Sequence, residues 1–241
     1  MSVRLIADLH THTLASTHAY STLQEMVEAA SRMSLYAIAI SDHGRSMPGA
    51  PGKWYFENMG IIPSHWMGVR VLKGIEANII DYYGTLDIDD FTVSSLEWVV
   101  ASIHRETLAW RDDIDAVTNT YIQVAKNPLV NVIGHSGLSH YKYDYEKVIP
   151  IFGAYGKLVE INEATFNVRH DSIENCMEIA KLCKKHGVGV VVNSDAHFQM
   201  LVGNAPRALK MLEEIDFPQE LIVNADARKL QNYFIQHNIE I

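Results

Sequence analysis

The stretch Asp8-Leu9-His10-Thr11-His12 decides how the rest of this chain is interpreted. It follows an apolar run that predicts a first strand over residues 3–9. Because side chains two residues apart in an extended chain share a face, His10 and His12 are expected to point in the same direction. Taken alone, such a pair is as easily ordinary polar surface as a metal site, so the remaining sequence has to distinguish the two interpretations.

Similar groups recur along the chain, each after a short apolar run. Strands are predicted over residues 36–40, 69–75, 98–103, 129–133, 158–161 and 188–192. A capping-box signature, Thr22 with Glu25, starts the first helix, and further helices are predicted over residues 113–126, 145–155, 172–186, 205–215 and 227–237. Residues 44–67 are predicted to form one long loop. Seven strands that alternate with helices predict an α/β fold with a parallel barrel.

Nine potential metal ligands follow the predicted strands, where α/β barrels build their active sites. They are His10, His12, His18, His43, Glu76, His104, His135, Asp195 and His197. Open catalytic zinc sites usually take three protein ligands, so nine ligands suit about three ions. Imidazole-rich sites suit zinc, iron or manganese, and affinity order alone does not choose among them.

Composition limits the partners. The chain has 241 residues and a net charge of −9. An acidic surface argues against binding of long nucleic acid, whereas a small phosphorylated substrate stays compatible because bound cations can reverse the local field. Neither a signal peptide nor an apolar run of transmembrane length is recognisable, so we expect no membrane contact and a cytoplasmic address. We expect one domain over residues 1–241, a usual length for a closed barrel.

The motifs resemble those of the PHP family, named for polymerase and histidinol phosphatase domains, and most closely the YcdX-type bacterial zinc phosphatases. The similarity rests on the opening from Asp8 to Leu23, on residues 74–79 around Glu76, and on Asn193-Ser194-Asp195-Ala196-His197. It covers nearly the whole chain. It implies a distorted (β/α)7 TIM-like barrel with the active site at the carboxyl rim of the strands, and possible self-association as a trimer.

The resemblance also implies a trinuclear centre of three divalent ions, with Zn²⁺ favoured over Mn²⁺ or Fe²⁺. Each ion would have its own ligand set: His10, His12, Glu76 and Asp195 for the first; Glu76, His104 and His135 for the second; His18, His43 and His197 for the third.

The expected activity is that of a metal-dependent phosphatase acting on a phosphomonoester, with a metal-activated hydroxide as the nucleophile. We expect Glu76, Asp195 and His104 to carry the catalytic chemistry. Three further residues could reach the phosphate, although the sequence slightly favours an ordinary surface position for each: Arg169, His170 and Arg207.

Several alternatives stay open at this point. One is a phosphoesterase of the histidinol-phosphatase or nuclease type, the latter disfavoured by the acidic charge. An amidohydrolase would need a metal-bridging lysine at a strand end, and the sequence offers none. A non-catalytic, metal-dependent regulatory module would tolerate loss of ligands, and here every ligand is retained.

Overall fold

The computed structural model describes residues 3–89, 92 and 95–241. Seven parallel strands form a nearly closed barrel, which confirms the predicted fold class. In spatial order they are β1 (Ala7–Thr11), β2 (Ala37–Ile40), β4 (Val69–Asn78), β5 (Trp98–Ser102), β6 (Val132–Ile133), β7 (Leu158–Asn162) and β8 (Val190–Asn193). The two-residue strand β3 (His65–Trp66) pairs antiparallel with β4.

Helices connect the strands. The α-helices are α1 (Leu23–Arg32), α2 (Lys53–Glu57), α3 (Ile114–Lys126), α4 (Tyr145–Ala154), α5 (Thr165–Val168), α6 (Ile173–His186), α7 (Pro206–Glu214) and α8 (Ala227–Gln236). Short 3-10 helices lie at Met59–Ile61, His170–Ser172, Gln199–Leu201, Gln219–Leu221 and Val223–Ala225. Within the described ranges, no helix combines the length and the apolar character that a membrane span requires.

The barrel strands are buried on both faces, as their continuous apolar sequences predict. Their outer faces pack against the surrounding helices, whereas the inner faces form a second cluster around Trp98. The indole of Trp98 meets Tyr233 and Phe234 of α8 edge-on, with ring centroids 5.9 and 6.0 Å away. The last helix therefore closes the amino-terminal end of the barrel and leaves the carboxyl end free for a site.

Side chains join the barrel at the seam between β1 and β8. Buried Asn224 donates from Nδ2 to the carbonyl oxygens of Ala7 and Val192, and its Oδ1 accepts from the Val192 amide. Nearer the carboxyl end, Oδ1 of Asn193 accepts from the amide of Leu9. These contacts provide hydrogen-bond partners for backbone groups of β1 and β8 that would pair with each other if the two strands were fully hydrogen-bonded.

We expect Asn224→Ala to lower the free energy of unfolding by about 3 kcal/mol, because it leaves buried backbone groups unpaired on both strands. For a chain of this size the melting temperature should fall by roughly 6–12 °C. The exposed Asn204→Ala is the matched control, expected to stay within about 0.5 kcal/mol. Equal melting temperatures for the two variants would contradict the role of Asn224 in the seam.

Several sequence-based expectations differ from the structure. β4 continues to Asn78 instead of ending at residue 75, and β8 begins at Val190 rather than at residue 188. The first strand begins at Ala7 rather than at residue 3, because the Ile6 amide donates to the Asn224 carbonyl beyond the sheet. The fifth predicted strand shortens to Val132–Ile133, since a turn closes from the Val130 amide to Asn127. Residues 44–67 are not one irregular loop, because they contain α2 and β3.

Candidate metal centre

The nine predicted ligands lie together at the carboxyl end of the barrel. β1 carries His10 and leads to His12 and His18, β4 carries Glu76, and the segments after β2, β5, β6 and β8 supply His43, His104, His135, Asp195 and His197. Their ligand atoms form overlapping groups within 4.8 Å of one another: His10 with His12 and Glu76, His43 with Glu76 and His104, and His12 with His43 and His197. These groups share members and contain six of the nine residues. The other three lie beside them: His18 Nε2 is 3.3 Å from His43 Nε2, His135 Nε2 is 2.9 Å from Glu76 Oε1, and Asp195 Oδ1 is 3.2 Å from His12 Nε2.

The carboxylate of Glu76 lies at the floor of the cluster, where only 1% of the residue is exposed. Its Oε1 lies 2.9 Å from His135 Nε2, 3.3 Å from His104 Nε2 and 3.4 Å from His10 Nε2. Its Oε2 lies 2.7 Å from His43 Nδ1. One carboxylate thus faces imidazoles from four segments of the barrel.

Several of these buried polar atoms have no hydrogen-bond partner. Within the part of the chain that the structure describes, they include Nε2 of His10, His12, His104 and His197. Nδ1 of His43 and Oε2 of Glu76 lie 2.7 Å apart, but not in the geometry of a hydrogen bond. Buried nitrogen and oxygen atoms are costly to leave unpaired, and one such group would already need an explanation. Unpaired imidazole nitrogens that surround a carboxylate are the donor set of a divalent transition-metal site, so these residues fit bound metal.

The other ring nitrogen of several histidines is held by a protein acceptor. Nδ1 of His10 donates to Glu160 Oε1 at 2.7 Å, and Nδ1 of His104 donates to Asn78 Oδ1 at 2.7 Å. Nδ1 of His197 donates to the Asp195 carbonyl at 2.9 Å. A proton fixed on Nδ1 leaves the lone pair on Nε2, which is the form of imidazole that binds a metal ion.

Protonation of the cluster follows from burial and neighbouring charge. Burial, with His197 and His43 nearby, holds the pKa of His12 well below its usual value. Burial, with Arg169 nearby, lowers the pKa of His135 to about 4. Although burial opposes it, the imidazoles around Glu76 hold its pKa well below the usual range. At neutral pH these groups are therefore already in the states that bind metal.

Two imidazoles behave in the opposite way. Burial disfavours the charged form of His10, but the carboxylates of Glu160 and Glu76 outweigh it and raise the pKa well above the usual value. The pKa of His43 is also raised, because Glu76 again outweighs burial. Metal binding to these two rings should therefore release protons.

The loop after β1 is held in place by buried Asp42. Its Oδ1 accepts from the Thr13 amide and from Ser16 Oγ, both at 2.8 Å, and its Oδ2 accepts from Tyr55 Oη at 2.6 Å. The sequence alone allows two roles for Asp42: it orients a metal ligand, or it is an ordinary turn carboxylate. In the structure, the hydrogen bonds of Asp42 hold the loop that connects His12 and His18.

A cavity of about 500 Å³ opens above the cluster. Five of the nine residues line it, His18, His43, His104, Asp195 and His197, whereas the other four lie deeper. Arg169 also lines the cavity, with its Nη1 3.5 Å from Oδ2 of Asp195. Leu138, Ile103 and Val168 form an apolar part of the wall.

The structure does not place the other two predicted phosphate contacts at this cavity. His170 is exposed and lies outside the lining. Arg207 is held elsewhere, because its Nε donates to Glu163 at 2.8 Å and its Nη2 donates to Asn167 Oδ1 at 2.7 Å. An arginine that is already paired with a buried carboxylate is not available to a phosphate, which corrects the expectation for Arg207.

Sequence reasoning missed the residues that hold the ligands from behind. Glu160 and Asn78 both lie inside buried strands and contact ring nitrogens. Asn162 donates to Asp195 Oδ2 at 3.1 Å. A usable signal was present, since Glu160 interrupts the apolar run Leu158–Asn162 and an ionisable group in a buried strand needs a partner.

The comparisons with known proteins agree with this site. The PHP domain model matches residues 8–215. A probable phosphatase from Acetivibrio thermocellus is 43% identical over 96% of this chain and 95% of its own length, and one from Caldanaerobacter subterraneus is 42% identical over 97% and 92%.

Two solved structures are similar in fold alone. The histidinol phosphate phosphatase of Lactococcus lactis, solved with zinc, L-histidinol and phosphate, aligns with a TM-score of 0.58 at 14% identity, covering 97% of this chain and 94% of its own. A chain of an archaeal ribonuclease P complex aligns with a TM-score of 0.60 at 11% identity, covering 95% and 91%. The family match and the identity to curated relatives are decisive: the chain belongs to the PHP domain family and is a hydrolase of the phosphatase class.

Proposed function

We propose that this protein hydrolyses a phosphomonoester at a centre of three divalent ions, with zinc favoured. The observation that carries the proposal is the set of buried, unpaired ring nitrogens that surround Glu76 and Asp195. Such a cluster is costly unless metal binds it. The names of the relatives supply the reaction class, and the zinc, L-histidinol and phosphate in the Lactococcus lactis structure support this choice of metal and ester by analogy.

We assign the ligands to three sets, as the resemblance implies. The first set is His10, His12, Glu76 and Asp195; the second is Glu76, His104 and His135; the third is His18, His43 and His197. The geometry of the cluster supports the first set, since His10, His12 and Glu76 lie together, but it also brings His43 beside Glu76 and His104. His43 is therefore the ligand whose assignment a metal-bound structure would test most directly.

The ions, when bound, would supply Lewis-acid stabilisation of the charge that develops on the phosphoryl oxygens. The protein's own residues then hold and orient the ester. Glu76, Asp195 and His104 fix the centre at the base of the cavity, while Arg169 at its wall is placed to pair with phosphate oxygens. The apolar wall at Leu138 and Ile103 excludes water beside the ester, which strengthens these charge interactions.

The phosphate-binding role of Arg169 gives a kinetic prediction. Arg169→Met should lower kcat/KM for a phosphomonoester by about 10- to 100-fold, because charge-assisted hydrogen bonds contribute roughly 1.5–3 kcal/mol. Arg207→Met is the matched control, since Arg207 pairs with Glu163 away from the cavity. Its kcat/KM should stay close to that of the native protein when metal content is equal. Equal losses in the two variants would contradict the assignment of Arg169.

The test of the proposed function compares an aryl phosphate monoester with the matching diester. Turnover of the monoester that disappears on chelation and returns with Zn²⁺ or Mn²⁺ is the expected result. Faster turnover of the diester would favour a nuclease-type activity instead. Metal-loaded protein that is inert on both esters would overturn the proposal and favour a regulatory module.

The remaining parts of the proposal concern context. We propose a single domain over residues 1–241, a small phosphorylated substrate rather than a polynucleotide, a cytoplasmic address and self-association as a trimer. The net charge of −9 supports the choice of substrate size. Light scattering of the metal-loaded protein tests the proposed trimer, since a molar mass other than that of three chains would contradict it.

A further inference from the structure

Glu160 is a buried carboxylate that has no place among the nine ligands. It lies in β7, and only 4% of the residue is exposed. Burial of a carboxylate is costly unless its oxygens receive hydrogen bonds. The contacts that satisfy Glu160 come from the metal cluster and from the strands beside it.

Each carboxylate oxygen of Glu160 accepts two hydrogen bonds. Oε1 accepts from His10 Nδ1 at 2.7 Å and from Asn193 Nδ2 at 2.9 Å. Oε2 accepts from the backbone amide of His135 at 2.9 Å and from Asn162 Nδ2 at 3.0 Å. One side chain thus ties together β1, β7, β8 and the segment after β6.

The contact with His135 holds an unusual backbone conformation. His135 has a φ of +23°, in the region that residues other than glycine rarely adopt. Such a conformation persists only where the surrounding structure holds it. The hydrogen bond to the His135 amide supplies that constraint and so sets where the imidazole enters the cluster.

We propose that Glu160 is a positioning residue for the metal centre. It keeps the proton of His10 on Nδ1, so that the Nε2 lone pair faces Glu76 and Asp195, and it fixes the backbone of His135. A carboxylate behind a ligating histidine also makes the ring a stronger donor, and loss of such a partner typically weakens metal binding by about 10- to 100-fold. This inference rests on the proposed metal centre.

The experiment measures zinc affinity directly by competition with a chromophoric chelator, using the full chain. Glu160→Gln keeps the size of the side chain, but its amide oxygen can serve His10 or His135 and not both. We expect the Kd for zinc to rise by about 10- to 100-fold. Glu160→Asp keeps the charge with a shorter reach, and we expect an intermediate loss.

Asn131→Ala is the matched control. Asn131 is buried and accepts from the Val99 amide at the opposite end of the barrel. The Asn131→Ala substitution should lower the melting temperature of the chelated protein and leave its zinc affinity unchanged. A merely structural role for Glu160 would give the same pattern in Glu160→Gln.

The outcomes separate the two proposals. Native-like zinc affinity in Glu160→Gln overturns the positioning role alone, while the metal centre stands. If Glu160→Gln does not fold, Glu160→Asp carries the test, and native-like affinity there overturns the role in the same way. Native protein that binds no zinc and no Mn²⁺ would overturn the proposed metal centre itself.

Discussion

Glu76→Gln is expected to remove phosphomonoester turnover almost completely, with kcat falling on the order of 10³-fold or more. The Glu76 carboxylate lies within 3.4 Å of ring nitrogens of His10, His104 and His135. A neutral amide of the same shape cannot supply the negative charge that two neighbouring cations would share. The variant should therefore bind less metal, measured by elemental analysis after gel filtration, as well as lose turnover.

The matched control is Glu97→Gln. Glu97 is a carboxylate near the opposite end of the barrel, where Oε1 accepts from Arg70 Nη2 at 2.5 Å and Oε2 lies 3.4 Å from Lys73 Nζ. Its loss should reduce stability but leave metal content and kcat unchanged. Folded Glu76→Gln protein with native turnover would contradict a bridging role for Glu76.

Chelation is expected to have the second large effect, on stability as well as activity. A single bound ion, at a free concentration about 100 times its Kd, stabilises the folded state by about 2.7 kcal/mol. For a chain of this size, that corresponds to a rise of roughly 5–10 °C in melting temperature. Several ions should add to this shift. Thermal unfolding before and after chelation, followed by addition of Zn²⁺, measures it.

Glu76→Gln serves as the control for chelation too. If the shift comes from metal at the cluster, chelation should move the melting temperature of this variant much less than that of the native protein. Equal shifts in both proteins would place the stabilising ions elsewhere.

The chelated protein should also become less stable as the pH falls from about 6.5 towards 4. The folded-state pKa of His135 is about 4 and that of His12 is well below its ordinary value of 6.5, so the unfolded chain binds more protons in this window. His10 and His43 act oppositely, because their raised pKa values favour the folded state below 6.5 and lose that effect above it. Urea unfolding against pH checks the sign, and constant stability down to about pH 4.5 would contradict it.

Much of the fold was predictable because it depends on local pattern. Thr22 and Glu25 form the expected capping box, and the helix after it begins at Leu23. Buried strands such as Ala37–Ile40 appear where continuous apolar runs predict them. Boundaries failed where distant groups intervene, as at Ile6, whose amide pairs with Asn224 from the far end of the chain.

The candidate site divides in the same way. The residue types of the cluster and their positions near or beyond the carboxyl ends of the strands were predictable, because metal ligands need particular atoms and parallel strands bring their carboxyl ends to one rim. Which of the candidate phosphate contacts faces the cavity was not predictable. Arg169 faces the cavity, whereas Arg207, equally basic and close to the rim in sequence, is taken by Glu163.

By itself, then, the sequence determined the family, the barrel and the nine candidate ligands, since each is encoded in residue type and short-range spacing. Only the tertiary structure decided which groups hold those ligands in place. Glu160 reaches His10 across 150 positions of the chain, and Asn78 reaches His104 across 26. Such pairs depend on the register of neighbouring strands and on side-chain direction inside a closed barrel, which no local pattern specifies.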